Sequence, residues 1–275
     1  MIKTLYSLTC LFLLSSSYLL AQPTLKKLWQ TDHLDVPESV LIGQDQRTLY
    51  VSLIGPGDHT IADGNGAIAQ IDRQGKIINK DWITGLNAPK GLGEYEDKLY
   101  VADLKELVII DIPNKKIIEK ITVPEVGMLN DVTVDPAGDV LISDSKGGKI
   151  YRYKQGKVEV FLPNLVNPNG LLAVGNGLYF LDSGSLFYLD KNKIATKIAT
   201  GMEKSTDGLQ KDGDNFLVSA WIGVLYYINK DGKVTTLLDS RAEKMNTADF
   251  SFDPESRLLY LPTFFKNQVI AYQVQ

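Results

Sequence analysis

The sequence predicts an all-β fold, a six-bladed β-propeller whose last blade is closed by the N-terminal strand, and three observations predict it. A four-residue motif recurs as Val36–Ser39, Ala88–Gly91, Met128–Asp131, Asn167–Gly170, Ser205–Gly208 and Asn246–Asp249. Its third residues, Glu38, Lys90, Asn130, Asn169, Asp207 and Ala248, are spaced by 52, 40, 39, 38 and 41 positions. A period of about forty residues built from short strands is the signature of propeller blades. The intervals hold runs rich in β-branched and aromatic residues, such as Leu49-Tyr50-Val51, Leu99-Tyr100-Val101 and Leu178-Tyr179-Phe180, and none sustains a helical period. Finally, the sixth repeat stops one strand short, while Leu25–Gln30 reads as a strand with no neighbour in sequence to pair with.

Taken in order, each repeat has the same parts, and the third shows them cleanly. Val132–Asp135 is a first strand, Pro136–Asp139 a tight turn, Val140–Ser143 a second strand, Lys149–Tyr153 a third, Lys154–Gly156 another hairpin and Lys157–Leu162 a fourth. The first hairpin recurs at Gly43–Gln46, Glu94–Asp97, Gly175–Gly177, Lys211–Asp214 and Asp253–Ser256. The second recurs only at Asp72–Gly75, Ile112–Lys115, Lys191–Lys193 and Lys230–Gly232. The sixth repeat therefore ends with its third strand, Val269–Val274, and a blade lacking its outer strand would expose a sheet edge. Leu25–Gln30 is expected to cover that edge and close the ring, making residues 24–275 one domain. The recurring motif is read as a turn entering each innermost strand from one face, called the top. The loops joining second to third strands share that face, and the longest, Ile54–Gly66, is expected to act as a lid over the central opening.

The chain has 275 residues, a net charge of -4 and 44% hydrophobic residues, ordinary for one globular domain, and nothing in it points to nucleic acid. Its start differs. Lys3, the apolar run Leu5–Leu20 and Ala21-Gln22-Pro23 read as a secretory signal peptide over residues 1–21, cut after Ala21, rather than a membrane anchor, for which the run is short. The protein is therefore expected to be exported, to the periplasm or the extracellular space, without a membrane span in the mature chain. Cys10 is the single cysteine and would leave with the signal, so no disulfide is expected.

The motif's third residues converge on the axis, and Glu38, Asn130, Asn169 and Asp207 bring hard oxygen donors there. Two carboxylates and two amide carbonyls suit Ca²⁺ or another hard divalent cation, which takes about 6 to 8 oxygens. Zinc or copper would want imidazole or thiolate, which the ring lacks. Turn chemistry alone would explain Asn169-Gly170 and Asp207-Gly208, but not Glu38 in the same register.

With Pro-Glu at the first motif, Asn-Asp followed by Val-Asp-Pro-Ala-Gly at the third, Asn-Gly at the fourth and Asp-Gly at the fifth, the chain resembles the gluconolactonase and regucalcin (senescence marker protein) family. It resembles paraoxonases, diisopropyl fluorophosphatase and NHL-repeat propellers more distantly. The resemblance implies a metal-dependent hydrolase of lactones or related esters, with Glu38, Asn169 and Asp207 as metal ligands and Asn130 as a ligand or substrate contact. The metal would polarise the carbonyl and Asp207 would orient or deprotonate the attacking water, so that Asp207 and Asn130 are the candidate catalytic residues.

Two departures leave an alternative open. Met128 stands where the family's sugar-lactone hydrolases carry an arginine, and Lys90 brings an ammonium into the ring. Lys90 either pairs with Glu38, competing with a metal, or binds an anionic part of the substrate. A non-catalytic, NHL-like propeller binding a ligand or protein on its top face is the competing reading. For an enzyme, Lys90, Met128, His59, Trp221 and Phe264 are the candidate pocket residues. Met128, Met202 and Met245 with Trp221 and Phe264-Phe265, all expected on the top face, point to an apolar pocket and a small, fairly apolar substrate. The protein is expected to act as a monomer. Asp103, Asp144 and Asp182, at the ends of second strands, are expected to cap turns or bridge blades, with Asp144 a candidate outer contact to the site.

Overall fold

The structure, a computed structural model, describes residues 22–275; the expected signal peptide, Cys10 included, lies outside the described residues. Six four-stranded antiparallel sheets form the six blades. Strand β1 (Leu25–Thr31) precedes the first blade, which is β2 (Pro37–Ile42), β3 (Thr48–Leu53), β4 (Gly66–Asp72) and β5 (Ile77–Leu86). The second is β6 (Pro89–Tyr95), β7 (Lys98–Asp103), β8 (Glu106–Asp111) and β9 (Lys116–Thr122). The third is β10 (Leu129–Val134), β11 (Val140–Asp144), β12 (Lys149–Lys154) and β13 (Lys157–Leu162). The fourth is β14 (Pro168–Val174), β15 (Gly177–Asp182), β16 (Ser185–Leu189) and β17 (Ala195–Ala199). The fifth is β18 (Thr206–Asp212), β19 (Asn215–Ala220), β20 (Val224–Ile228) and β21 (Val234–Asp239). The sixth is β22 (Ser251–Asp253), β23 (Leu258–Pro262), β24 (Val269–Val274) and, as its outermost strand, β1.

The terminal closure expected from the sequence is present. β1 runs antiparallel to β24 from Leu25 opposite Val274 to Thr31 opposite Val269. The Trp29 indole donates to the Arg73 carbonyl at 3.1 Å and the Thr31 hydroxyl to the Gly75 carbonyl at 2.5 Å, so the strand also fastens blade 6 to the outer hairpin of blade 1. Gly75 has φ +87°, and a Cβ there would lie 2.6 Å from the Trp29 ring, so both conformation and contact require glycine.

Apolar packing lies in the seams between blades. Leu99, Val101 and Val108 of blade 2 meet Tyr50, Ile68 and Leu86 of blade 1, and comparable clusters fill the other five seams. The inner strands of each blade are covered on both faces, which is why they read as continuous apolar runs, whereas outer strands such as β9, β13 and β17 are largely exposed. Among the described residues no helix is long and apolar enough to cross a membrane. A short 3₁₀ turn, Phe264–Lys266, lies on the top face.

The recurring motif differs from its expected form. In five blades it is the beginning of the innermost strand rather than a turn, and the pairing register shifts there: between Pro37 and Ser39, Pro89 and Leu92, Leu129 and Val132, Pro168 and Leu171, and Thr206 and Leu209. These irregularities interrupt the ladder at the ring residues, the position at which a bulge re-aims a side chain. In blade 6, β22 starts only at Ser251, and the motif instead exchanges backbone bonds with blade 1: Asp249 N–H to Glu38 O at 3.0 Å and Val40 N–H to Asp249 O at 3.2 Å.

Candidate functional site on the propeller axis

Each interrupted register frees backbone N–H groups that need acceptors, and second-strand side chains supply them. Ser39, Asp131 and Gly208 N–H donate to the hydroxyls of Ser52, Ser143 and Ser219 at 2.9, 2.8 and 2.8 Å. Asp103 accepts from Asn87 and Ala88, Asp182 from Val166 and Asn167, and Asp144 from Gly127, Met128 and Gly147. These aspartates cap the chain entering the innermost strand of their own blade, the capping role of the two that the sequence offered, and Asp144 is occupied in doing so.

The motif thereby presents two layers to the axis. The upper layer is Glu38, Lys90, Asn130, Asn169, Asp207 and Ala248. The first, second, fourth and fifth of these retain only 3, 3, 8 and 2% of their surface, while Ala248 is fully covered in a small apolar cluster with Ile54, Ala88, Leu104 and Phe264. The layer beneath is the next residue of each motif: Ser39, Gly91, Asp131, Gly170, Gly208 and Asp249. Three of these are glycines because the neighbouring inner strand is too close for a side chain; a Cβ on Gly91 would lie 2.5 Å from Asp131 Cα.

A cavity of about 260 Å³ opens above the upper layer. All nine residues singled out in the sequence line it: Glu38, Asn130, Asn169 and Asp207 together with Lys90, Met128, His59, Trp221 and Phe264. His59 is carried by the long loop between β3 and β4, and Trp221 and Phe264 by the second-to-third-strand loops of blades 5 and 6. Trp221 packs on the apolar cluster around Ala248 and Phe264 rather than into one of the six blade-to-blade seams. Sequence reasoning missed Ser145, Asn167, Ser205 and Thr206 in the wall, and Asp131 and Asp249 below it. Other cavities, of about 480 Å³ between blades 3 and 4 and about 380 Å³ at the bottom of the axis, are lined by hairpin and lower inner-strand residues.

Four carboxylates and one ammonium share the axis. Burial raises Glu38 well above the ordinary carboxylate range, with Lys90 opposing and Asp207 and Asp249 adding to the rise. Burial and then Asp249 push Asp207 up to about 8, against Lys90 and a hydrogen bond from Asn169. Burial likewise pushes Asp249 up to about 7, although the Ser39 hydroxyl donates to it at 2.5 Å. Asp131 is raised well above its usual value by burial and by Asp249, while its carboxylate accepts the Leu171 N–H at 2.6 Å. Lys90 Nζ is 3.9 Å from Glu38 Oε1, an ion pair too long for a hydrogen bond. His59 is shifted down by partial burial and by the charge of Lys90.

Two buried oxygens on this ring, Glu38 Oε2 and Asn169 Oδ1, have no hydrogen-bond partner among the described residues. The Asn169 amide is held in place, since its Nδ2 donates to Asp207 Oδ1 at 2.9 Å. A buried acceptor left bare is costly. An excess of carboxylate over ammonium, with bare oxygens facing a cavity, fits a hard cation. No three His, Cys, Asp or Glu side chains among the described residues cluster as a metal site, so a cation here would depend on amide oxygens as well as carboxylates.

Fold and axis define the chain as a six-bladed propeller with a polar, carboxylate-rich centre, and known structures share that fold. Virginiamycin B lyase from Staphylococcus aureus matches with a TM-score of 0.66 at 14% identity, covering 92% of this chain and 100% of its own. A presumptive gluconolactonase matches with a TM-score of 0.65 at 18% identity, covering 93% of each chain. Luciferin-regenerating enzyme matches with a TM-score of 0.62 at 15% identity over 92% of this chain and 95% of its own. No protein-family model matches the sequence, and no curated protein matches it.

Proposed function

We propose that this protein is an exported hydrolase of lactones or related esters, dependent on Ca²⁺ or a similar hard divalent cation held by Glu38, Asn130, Asn169 and Asp207. The observation that carries the reading is the pair of partnerless buried oxygens, Glu38 Oε2 and Asn169 Oδ1, on a ring where acidic groups outnumber the one ammonium. When bound, such a cation supplies a Lewis acid for an ester carbonyl.

The chain's own residues have separate tasks. Asn169, clamped to Asp207 through its Nδ2, keeps its Oδ1 available as an acceptor. Asn130 faces the cavity and serves as ligand or as donor to the substrate. Asp207 orients the attacking water and takes its proton. Lys90, whose ammonium is only loosely engaged by Glu38, donates to a substrate oxygen. Met128, His59, Trp221 and Phe264 wall the cavity and limit water around the reacting bond.

Fold alone does not choose this chemistry, since one of the structural neighbours is a lyase. A second reading, a non-catalytic propeller binding a ligand on its top face, is favoured by Lys90, an internal cation in the ring. Thermal unfolding after chelation, with and without added Ca²⁺, separates the two when paired with hydrolysis of a lactone and ester panel. A ligand that binds only the folded state stabilises it by about 2.7 kcal/mol at roughly a hundredfold excess over Kd. The wild type should gain stability with Ca²⁺, Glu38→Gln should not, and Asp207→Ala should fold but hydrolyse nothing. Absence of both a Ca²⁺ shift and any hydrolysis would sink the hydrolase reading.

A further inference from the structure

The cavity is chemically lopsided. In ring order, blade 2 faces blade 5, so Lys90 projects from the side opposite Asp207 and Trp221. Over blades 5, 6 and 1 four aromatic rings form one wall. Trp221 meets Phe264 at 5.4 Å and Phe265 at 5.9 Å, Phe264 meets Phe265 at 4.7 Å, and His59 meets Phe264 at 5.9 Å and Phe265 at 6.3 Å. All five contacts are edge-to-face, with interplanar angles from 70 to 89°.

The wall is held by an unfavourable backbone. Phe264 sits at φ +51°, a left-handed conformation that a bulky residue rarely adopts, and its 3₁₀ turn has no side-chain cap. Strain of this kind persists only where the surroundings impose it, and it concentrates at ligand-binding positions. Here it turns the Phe264 ring inward, to 3% exposure in the cavity wall, and leaves Phe265 half outside at 54%. Ile222, next to Trp221 in sequence, and Ile61, two residues from His59, are also exposed, by 46 and 48%. Mutually packed aromatic rings, one of them half exposed, beside a polar cavity mark a place where something apolar lies.

We propose that this wall selects the substrate, a lactone or ester bearing an aromatic ring that packs against Trp221, Phe264 and His59 while its carbonyl reaches the oxygen ring and Lys90. The placement of the carbonyl rests on the hydrolase reading; the ring-binding wall does not. Trp221, Phe264 and His59 are thus specificity-determining residues, with Phe265 packed edge-on against all three, and polyhydroxylated sugar lactones, whose hydroxyls would lose water against the wall, are poorer ligands.

Calorimetric titration of the mature protein with 2-naphthylacetate, its fully saturated decalin analogue and acetate tests the wall without requiring turnover. Aromatic pairing beyond area burial predicts that naphthylacetate binds about tenfold more tightly than the saturated acid. Trp221→Leu should abolish that preference. Phe265→Ser, at an exposed position that the fold tolerates, should reduce it. Equal affinity for the aromatic and saturated acids, no binding of naphthylacetate, or an unchanged preference in folded Trp221→Leu and Phe265→Ser would each overturn the proposal. Parallel assays of γ-phenyl-γ-butyrolactone and gluconolactone keep the two readings apart. Selective naphthylacetate binding with neither lactone cleaved leaves the wall standing and removes the hydrolase. Cleavage of both lactones at equal efficiency without aromatic preference does the reverse.

Discussion

Chelated protein should lose stability as pH rises from about 5 to 8, the opposite of a domain whose carboxylates are salt-bridged. Asp207 is held up to about 8 and Asp249 to about 7, and Glu38 and Asp131 are raised in the same direction. An acid whose folded pKa is raised binds its proton in the folded state and has lost it in the unfolded chain. Its stabilising contribution is complete below the unfolded value, about 4, and disappears as pH climbs through the folded value. Each such group tilts the unfolding free energy by about 1.4 kcal/mol per pH unit, so one or two groups titrating together give a slope on the order of 1 to 3 kcal/mol per unit. For a domain of this size that is roughly 2 to 10 °C of melting temperature per pH unit. Differential scanning fluorimetry across that range in a chelator measures it, and Asp249→Asn should flatten the slope. Saturating Ca²⁺ should flatten it too, by binding the ionised ring. A chelated midpoint that stays level or rises between pH 5 and 8 would refute the account of the axis as an uncompensated set of acids.

Two further predictions concern closure and charge. Removing residues 22–31 reopens the β24 edge and deletes the Trp29 anchor on blade 1. Loss of a packed Trp alone costs about 3 kcal/mol or more, so the melting temperature should fall by at least about 6 °C, with aggregation through the bare edge; a shift of less than about 2 °C would contradict terminal closure. Lys90→Met removes the ammonium 3.9 Å from Glu38 and should tighten Ca²⁺ binding by at least about tenfold, read by calorimetry. Weaker binding in the folded variant would show that Lys90 does not compete for the ring.

Most of the fold was legible because a propeller repeats itself. The register of six motifs located the blades, and a missing strand at one end matched a spare strand at the other to within a residue, Leu25–Gln30 against the observed Leu25–Thr31. The motif's local form was less legible, since Pro37, Pro89 and Pro168 look like turn residues. They are instead first residues of innermost strands, where a missing N–H is tolerated and the register shifts. The upper layer could be read because its residues are polar in a column between apolar strands. The lower layer hid in the adjacent column, where Asp131 and Asp249 resemble ordinary turn aspartates among Ser39, Gly91, Gly170 and Gly208. Only the convergence of opposite blades, invisible in a linear sequence, makes them neighbours of Glu38 and Asp207.

That division explains why so unfavourable an axis can persist. Stability resides in six apolar seams and in the β1 closure, none of which includes a ring carboxylate. The axis is therefore free to hold raised carboxyls, two bare oxygens and a strained Phe264 without loss of the fold. Substitutions in the seams should act on folding and leave any surviving site intact, whereas conservative changes on the ring, such as Glu38→Gln, should retain the fold and alter binding. Raised carboxyls and unpaired buried oxygens of this kind mark a candidate site, and here they gather on the axis.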